Sequence, residues 1–109
     1  MQRNLASAKL NLKFKNPKIL EQTFIHRSYL NEVRLDIPSN ERLEFLGDSV
    51  LSLIVSFELF LRRVNDAEGN LTNLRAYIVK TKSLAQAARK LELGKYLLLS
   101  KGEELSGGR

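Results

Sequence analysis

The chain has 109 residues, 43% hydrophobic and 28% charged, with a net charge of +6 and no cysteine. That is enough for one small domain with one core, and no apolar run approaches the roughly 20 residues of a membrane helix. The N-terminus leads into no signal-peptide core, and the lack of cysteine excludes disulfides and thiolate metal sites, in keeping with a reducing cytoplasm.

The charge is unevenly spread. Residues 1–61 are nearly balanced, whereas residues 62–101 carry nine Lys/Arg against Asp66, Glu68 and Glu92. Such a basic stretch is either a solvated helical surface or a seat for a polyanion.

In chain order the pattern is almost entirely helical. A short helix is expected over residues 2–11. Asn16-Pro17 is a start signal, with Asn as N-cap and Pro at the first helical position; the helix it opens carries Ile19, Leu20, Thr23 and Phe24 and is expected to reach about Tyr29. Residues 31–39 read as a loop. Asn40 can cap a long helix over about 41–63, whose Glu41 and Glu44 suit the positive N-terminal end. Leu43, Leu46, Val50, Leu53, Ile54, Phe57 and Leu61 form its apolar stripe and are expected to pack the core.

A turn with Gly69 follows, then a helix from about Leu71 to Lys80. Ser83 with Gln86 fits a capping box for the next helix, and Gly94 is its expected stop. Tyr96-Leu97-Leu98-Leu99 is too short to assign by period. Residues 102–109 read as a loop.

The long helix carries the chemistry. At 100° per residue, Glu41, Glu44 and Asp48 fall within about 60° of one another. Like charges on one helix face repel, and a divalent cation turns that repulsion into coordination. The alternative is a solvated acidic face. Two details favour the site: the flanking residues are apolar, and Gly47 sits mid-helix at a cost of about 1 kcal/mol relative to Ala. The acidic face continues as Ser52, Val55 and Leu59, with Phe45, Ser49 and Ser56 alongside. A helix apolar on nearly all sides is buried on nearly all sides, so a second helix, such as that of a symmetric partner, is expected against this face.

The run Asn40-Glu41-Arg42-Leu43-Glu44-Phe45-Leu46-Gly47-Asp48-Ser49-Val50-Leu51 resembles the signature of the ribonuclease III family. His26-Arg27-Ser28-Tyr29 with Asn31-Glu32, Glu68-Gly69-Asn70-Leu71-Thr72 with Leu74-Arg75-Ala76, Ser83-Leu84-Ala85 with Leu93-Gly94, and Gly102-Glu103-Glu104 through Arg109 resemble further blocks in the same order. Ile25 stands where the family usually has threonine.

The resemblance implies an all-α endonuclease domain that forms a homodimer and cuts double-stranded RNA with Mg²⁺, or Mn²⁺ in its place. The products would carry 5′-phosphates and 3′-hydroxyls, as in the processing of rRNA and mRNA precursors. Glu44 and Asp48 would be the catalytic metal ligands, with Glu41 accessory to the metal. Glu41 and Glu68 would serve the RNA-facing side, with Arg75, Lys80 and Lys82 as further RNA contacts. Phe45 would plug into the partner subunit, beside Ser49, Ser52, Val55 and Ser56. The family's second acidic pair and its double-stranded-RNA-binding domain have no counterpart in residues 1–109, so the expectation is a C-terminally incomplete catalytic domain. A catalytically silent RNA-binding or ribosome-associated module, or a non-functional fragment, is the rival reading.

Of the remaining residues, His26 reads as a structural hydrogen-bonding group on an apolar helix rather than a base. Arg42 reads as an ion-pair partner for the acids. Arg75 either contacts phosphate or braces Glu68. Tyr29, Tyr77 and Tyr96 read as core, because duplex RNA hides its bases.

Overall fold

The computed structural model describes residues 7–109. Among them the architecture is all-helical: α1 (Pro17–Thr23), α2 (Arg27–Glu32), α3 (Glu41–Arg62), α4 (Glu68–Val79), α5 (Thr81–Lys90), a 3₁₀ turn over Leu93–Tyr96, and α6 (Lys101–Leu105). Residues 7–10 are also helical; the rest of the helix expected over 2–11 lies outside the described residues. No described helix is long and apolar enough to cross a membrane.

Asn16 caps α1 as its sequence predicts: its side chain accepts from the Lys18 amide, with Pro17 at the first helical position. The expected continuation to Tyr29 does not occur. The chain leaves the helix at Phe24, and Ile25 forms an isolated parallel bridge with Leu98. Leu98 N donates to Phe24 O at 2.8 Å and His26 N donates to Leu98 O at 3.1 Å. These bonds fix the unassigned segment around Leu98 and bury Ile25 completely. A long-range pairing thus overrides the local helical pattern.

His26 is consequently not on a helix face. It is the N-cap of α2, where its Nδ1 accepts from the Ser28 amide and lies 2.7 Å from Ser28 Oγ. Ser28 Oγ in turn accepts from Ser100 N at 3.0 Å. The structural role expected of His26 holds, by capping.

The core lies at this junction. Leu20, Phe24 and Tyr96 are buried together, with Leu93 and Leu97 packed against them. The Phe24 and Tyr96 rings are 5.5 Å apart and tilted by 59°, a favourable edge-to-face type of contact. Of the three tyrosines only Tyr96 is core; Tyr77 is exposed.

The stripe on α3 does not form the core. Leu46, Val50, Leu53, Ile54, Phe57 and Leu61 are all exposed, Leu53 by 68%. The half-buried residues of α3 are Leu43, Leu51, Ser52, Val55, Ser56 and Leu59, mostly on the opposite side, and α4 packs there. Ser56 Oγ donates to Ser52 O at 2.7 Å and accepts from Arg75 Nη1 at 2.9 Å. Small serines admit the neighbouring helix on that face, so it is filled first. The radius of gyration, 16.4 Å, exceeds the about 13 Å of a compact chain of this length, as an open arrangement of helices requires.

Four further features differ from the sequence pattern. Gly69 lies in the first turn of α4, and the turn before it is clipped by Asp66, whose Oδ2 accepts from Arg63 Nε at 2.8 Å and Asn70 Nδ2 at 2.7 Å. Ser83 does not cap α5, which starts at Thr81; its hydroxyl donates to Tyr77 O. Helix α5 ends before Gly94, and Glu92 takes the left-handed turn at φ 55°. The expected terminal loop contains α6, capped by Ser100 through the Glu103 amide. Gly107 then turns at φ 85°, and Arg109 returns to the carbonyls of Gly94 and Leu97.

Candidate active site

The direction of α3 is set by the residue just before it. Asn40 N donates to Ile25 O at 2.8 Å, and its side-chain amide donates to Thr23 O at 2.9 Å. Gln22 Nε2 holds Ser39 O at 3.0 Å. Asn40 therefore occupies the N-cap position, but its side chain is spent on α1 rather than on capping. Ser39 does that work instead: its hydroxyl accepts from Glu41 N at 3.4 Å and donates to Glu41 Oε1 at 3.0 Å. The ties to Gln22, Thr23 and Ile25 were not evident from sequence, because they bridge residues 15 to 17 apart.

Helix α3 then presents Glu41, Glu44 and Asp48 on one wall of an open groove of about 810 Å³, with Phe45, Gly47, Ser49 and Leu51. The other wall is the α4–α5 junction: Val79, Thr81 and Leu84. The acidic face and the α4-facing side are one azimuth of α3, the acids occupying its N-terminal half. No Cβ added at Gly47 meets an atom within 4 Å. The packing reason expected for this glycine is therefore not found within the described chain, although the residue helps line the groove.

Lys80 and Lys82 flank Thr81 in sequence and are exposed, but neither is among the residues that line the groove. Lys80 Nζ sits 4.1 Å from the centre of the Tyr77 ring, a cation–π contact that limits its range.

Glu68 and Arg75 are not brought there. They line a separate cavity of about 220 Å³ with Ser56, Leu59, Phe60, Leu71 and Thr72. Its level on α3 is about 12 Å beyond Asp48 along the helix axis. Arg75 neither braces Glu68 nor stands free; its bond is to Ser56. Arg42 makes no ion pair with the acids among the described residues, against expectation, and instead lines an apolar pocket of about 690 Å³ with Gln22, Pro38, Glu41, Leu43, Phe45 and Leu46.

Phe45 is 80% exposed beside both hollows, and Ser49 is exposed on the groove. Ser52, Val55 and Ser56 are half-buried on the side of α3 that carries the bond to α4; this side serves a contact within the chain.

Among the described residues no group of three or more His, Asp or Glu side chains could hold a metal. Glu44 and Asp48 remain as a pair one turn apart, open to water. A hard cation such as Mg²⁺ uses one or two carboxylates and retains several waters, so this donor set fits an open seat and not a closed cage.

A family model described as ribonuclease-III-like matches residues 16–109. The chain belongs to that family. It is 50% identical over 101 residues to Ribonuclease 3 of Caldanaerobacter subterraneus subsp. tengcongensis, covering 93% of this chain and 44% of that protein. It is 56% identical over 99 residues to Ribonuclease 3 of Shouchella clausii, covering 90% of this chain and 38% of the relative. The chain thus spans less than half the length of these curated relatives. The nuclease domain of ribonuclease III from Campylobacter jejuni superimposes with a TM-score of 0.83 at 42% identity, over 94% of this chain and 68% of that one. That structure is described as showing flexibility in a region involved in dimer formation. The ribonuclease III fold accounts for the all-helical architecture.

Proposed function

We propose that the chain is part of a Mg²⁺-dependent endoribonuclease domain that cuts double-stranded RNA to 5′-phosphate and 3′-hydroxyl ends, in the processing of structured RNA precursors. The observation that carries this reading is the open groove with Glu44 and Asp48 together on one wall. It is supported by identity to proteins named Ribonuclease 3.

Glu44 and Asp48 would hold the cation, with Glu41 next to them. Bound there, Mg²⁺ supplies a water of lowered pKa and stabilises charge developing on the scissile phosphate. Lys80 and Lys82 would neutralise neighbouring backbone phosphates, so duplex affinity falls steeply with salt. Because A-form RNA hides its base edges, this grip reads backbone and 2′-hydroxyls rather than sequence. Phe45 would contact a second subunit of a homodimer, in the cytoplasm.

The rival reading is a silent RNA-binding module, favoured by the absence of a three-donor cluster among the described residues. Cleavage of long duplex RNA separates the two. The nuclease reading expects Mg²⁺- or Mn²⁺-dependent cutting, lowered at least about 100-fold by Asp48→Asn, the scale of one lost electrostatic contact to the transition state. Tight duplex binding without cutting in either metal supports the silent module.

A further inference from the structure

Residues 1–20 hold five cations, Arg3, Lys9, Lys13, Lys15 and Lys18, and no Asp or Glu. Lys9 is tied to Glu92. Lys13, Lys15 and Lys18 are exposed and form no ion pair among the described residues. Leu12, Phe14 and Ile19 are interleaved with them and are 41%, 41% and 43% exposed. The segment is held on both sides. Asn11 turns the chain at φ 54°, Leu12 N donates to Ser7 O at 2.9 Å, and Ser7 Oγ donates to Leu12 O. On the other side the Asn16 cap fixes the start of α1. Lys13 and Lys15 stand at most about 7 Å apart, with Phe14 between them in the chain. An aromatic ring flanked by free cations suits a single nucleic-acid strand: a base stacks on the ring while phosphates meet the lysines. A duplex hides its bases and offers the ring nothing.

We propose that Lys13, Phe14, Lys15 and Lys18 form a site for an unpaired RNA strand, separate from the acidic groove and joined to it by α1. The choice of RNA as the polyanion rests on the nuclease reading. Position supports it. Gln22, near the far end of α1, lines a hollow with Glu41 and Phe45, and those two residues also line the acidic groove. From Pro17 to Gln22 is about 8 Å along the helix axis, a short path for the single-stranded flank of a duplex seated on the acids. An anionic lipid surface fits less well. A lipid-bound face sinks its apolar side chains about 5–10 Å into the interface, whereas more than half of each of these is already covered by the chain.

The test uses the 109-residue chain in EDTA, so that cleavage plays no part. Fluorescence anisotropy with a labelled oligouridylate of about ten nucleotides, within the span of one single-strand site, is expected to show binding that Phe14→Ala weakens about tenfold. Replacing both Lys13 and Lys15 by Ala is expected to lower the salt slope by about 1.4, the loss of two single-strand phosphate contacts. The chain has no tryptophan, so Phe14→Trp supplies a reporter that stays informative if Phe14→Ala disturbs the fold. Its fluorescence is expected to be quenched by the oligouridylate and not by inorganic polyphosphate. Equal oligouridylate affinity in Phe14→Ala and the parent chain overturns the proposal, as does a Phe14→Trp emission that RNA leaves unquenched or that polyphosphate quenches equally. So does a Phe14→Trp emission that shifts to the blue on vesicles of anionic phospholipid and ignores RNA, which would make a membrane the partner. Cutting of blunt duplex RNA in Mg²⁺ without this binding overturns the strand site alone; binding without cutting supports the site and counts against the nuclease reading alone.

Discussion

Glu44 and Asp48 can act together because one helical turn separates them and no ion pair joins either to a cation among the described residues. The nearest candidate cation, Arg42, lines a different hollow. Elsewhere carboxylates are tied. Glu92 binds both Lys9 and Lys95, and their hydrogen bonds and positive charges hold its carboxyl down from 4.5 to about 2. Lys9 is raised in return, chiefly by its hydrogen bond to Glu92. A carboxyl whose folded pKa is depressed stabilises the fold above its unfolded value and loses that contribution as pH falls through the folded one. The clasp of residues 7–10 onto Glu92 is therefore expected to persist at pH 5, weaken between pH 4.5 and 2, and be abolished at every pH by Glu92→Gln. Hydrogen exchange of the Lys9 region across that range checks it; exchange that is equal in both proteins at pH 5 contradicts it.

At the scale of elements, α3 was the most legible part of the sequence. Its bounds, acidic face and two-sided apolar character follow from period and capping chemistry. What covers each side did not follow, because a stripe of leucines does not say which helix comes first. The α1–α2 break was hidden for a related reason: Ile25 leaves a helical pattern to pair with Leu98, 73 residues away. The groove's second wall at Thr81 was invisible because it depends on where α4 ends in space. Gly47 is the clearest local test. With no neighbour within 4 Å of an added Cβ, Gly47→Ala is expected to stabilise α3 by about 1 kcal/mol. Thermal melting should show a rise of a few degrees; a fall would mean that the groove needs the glycine's backbone freedom.

On the scale of the whole molecule, a small buried core at the α1–Tyr96 junction, five side chains among the described residues, supports a long helix that projects its acids one way and an apolar seam the other. The family signature was readable at once because its acids and the start of its apolar seam fall within twelve consecutive residues, Asn40 to Leu51. The separation of Glu68 and Arg75 from the acids was not, since it depends on the antiparallel run of α4. The central claim is that Glu44 and Asp48 seat a hard cation in the groove. Paramagnetic broadening by Mn²⁺ in NMR spectra of the chain tests it most directly. Broadening centred on Glu44 and Asp48, reaching Thr81 across the groove, reversed by Mg²⁺ and lost in Asp48→Asn, is the predicted result. Broadening centred on another acidic site, or unchanged in Asp48→Asn, would contradict it.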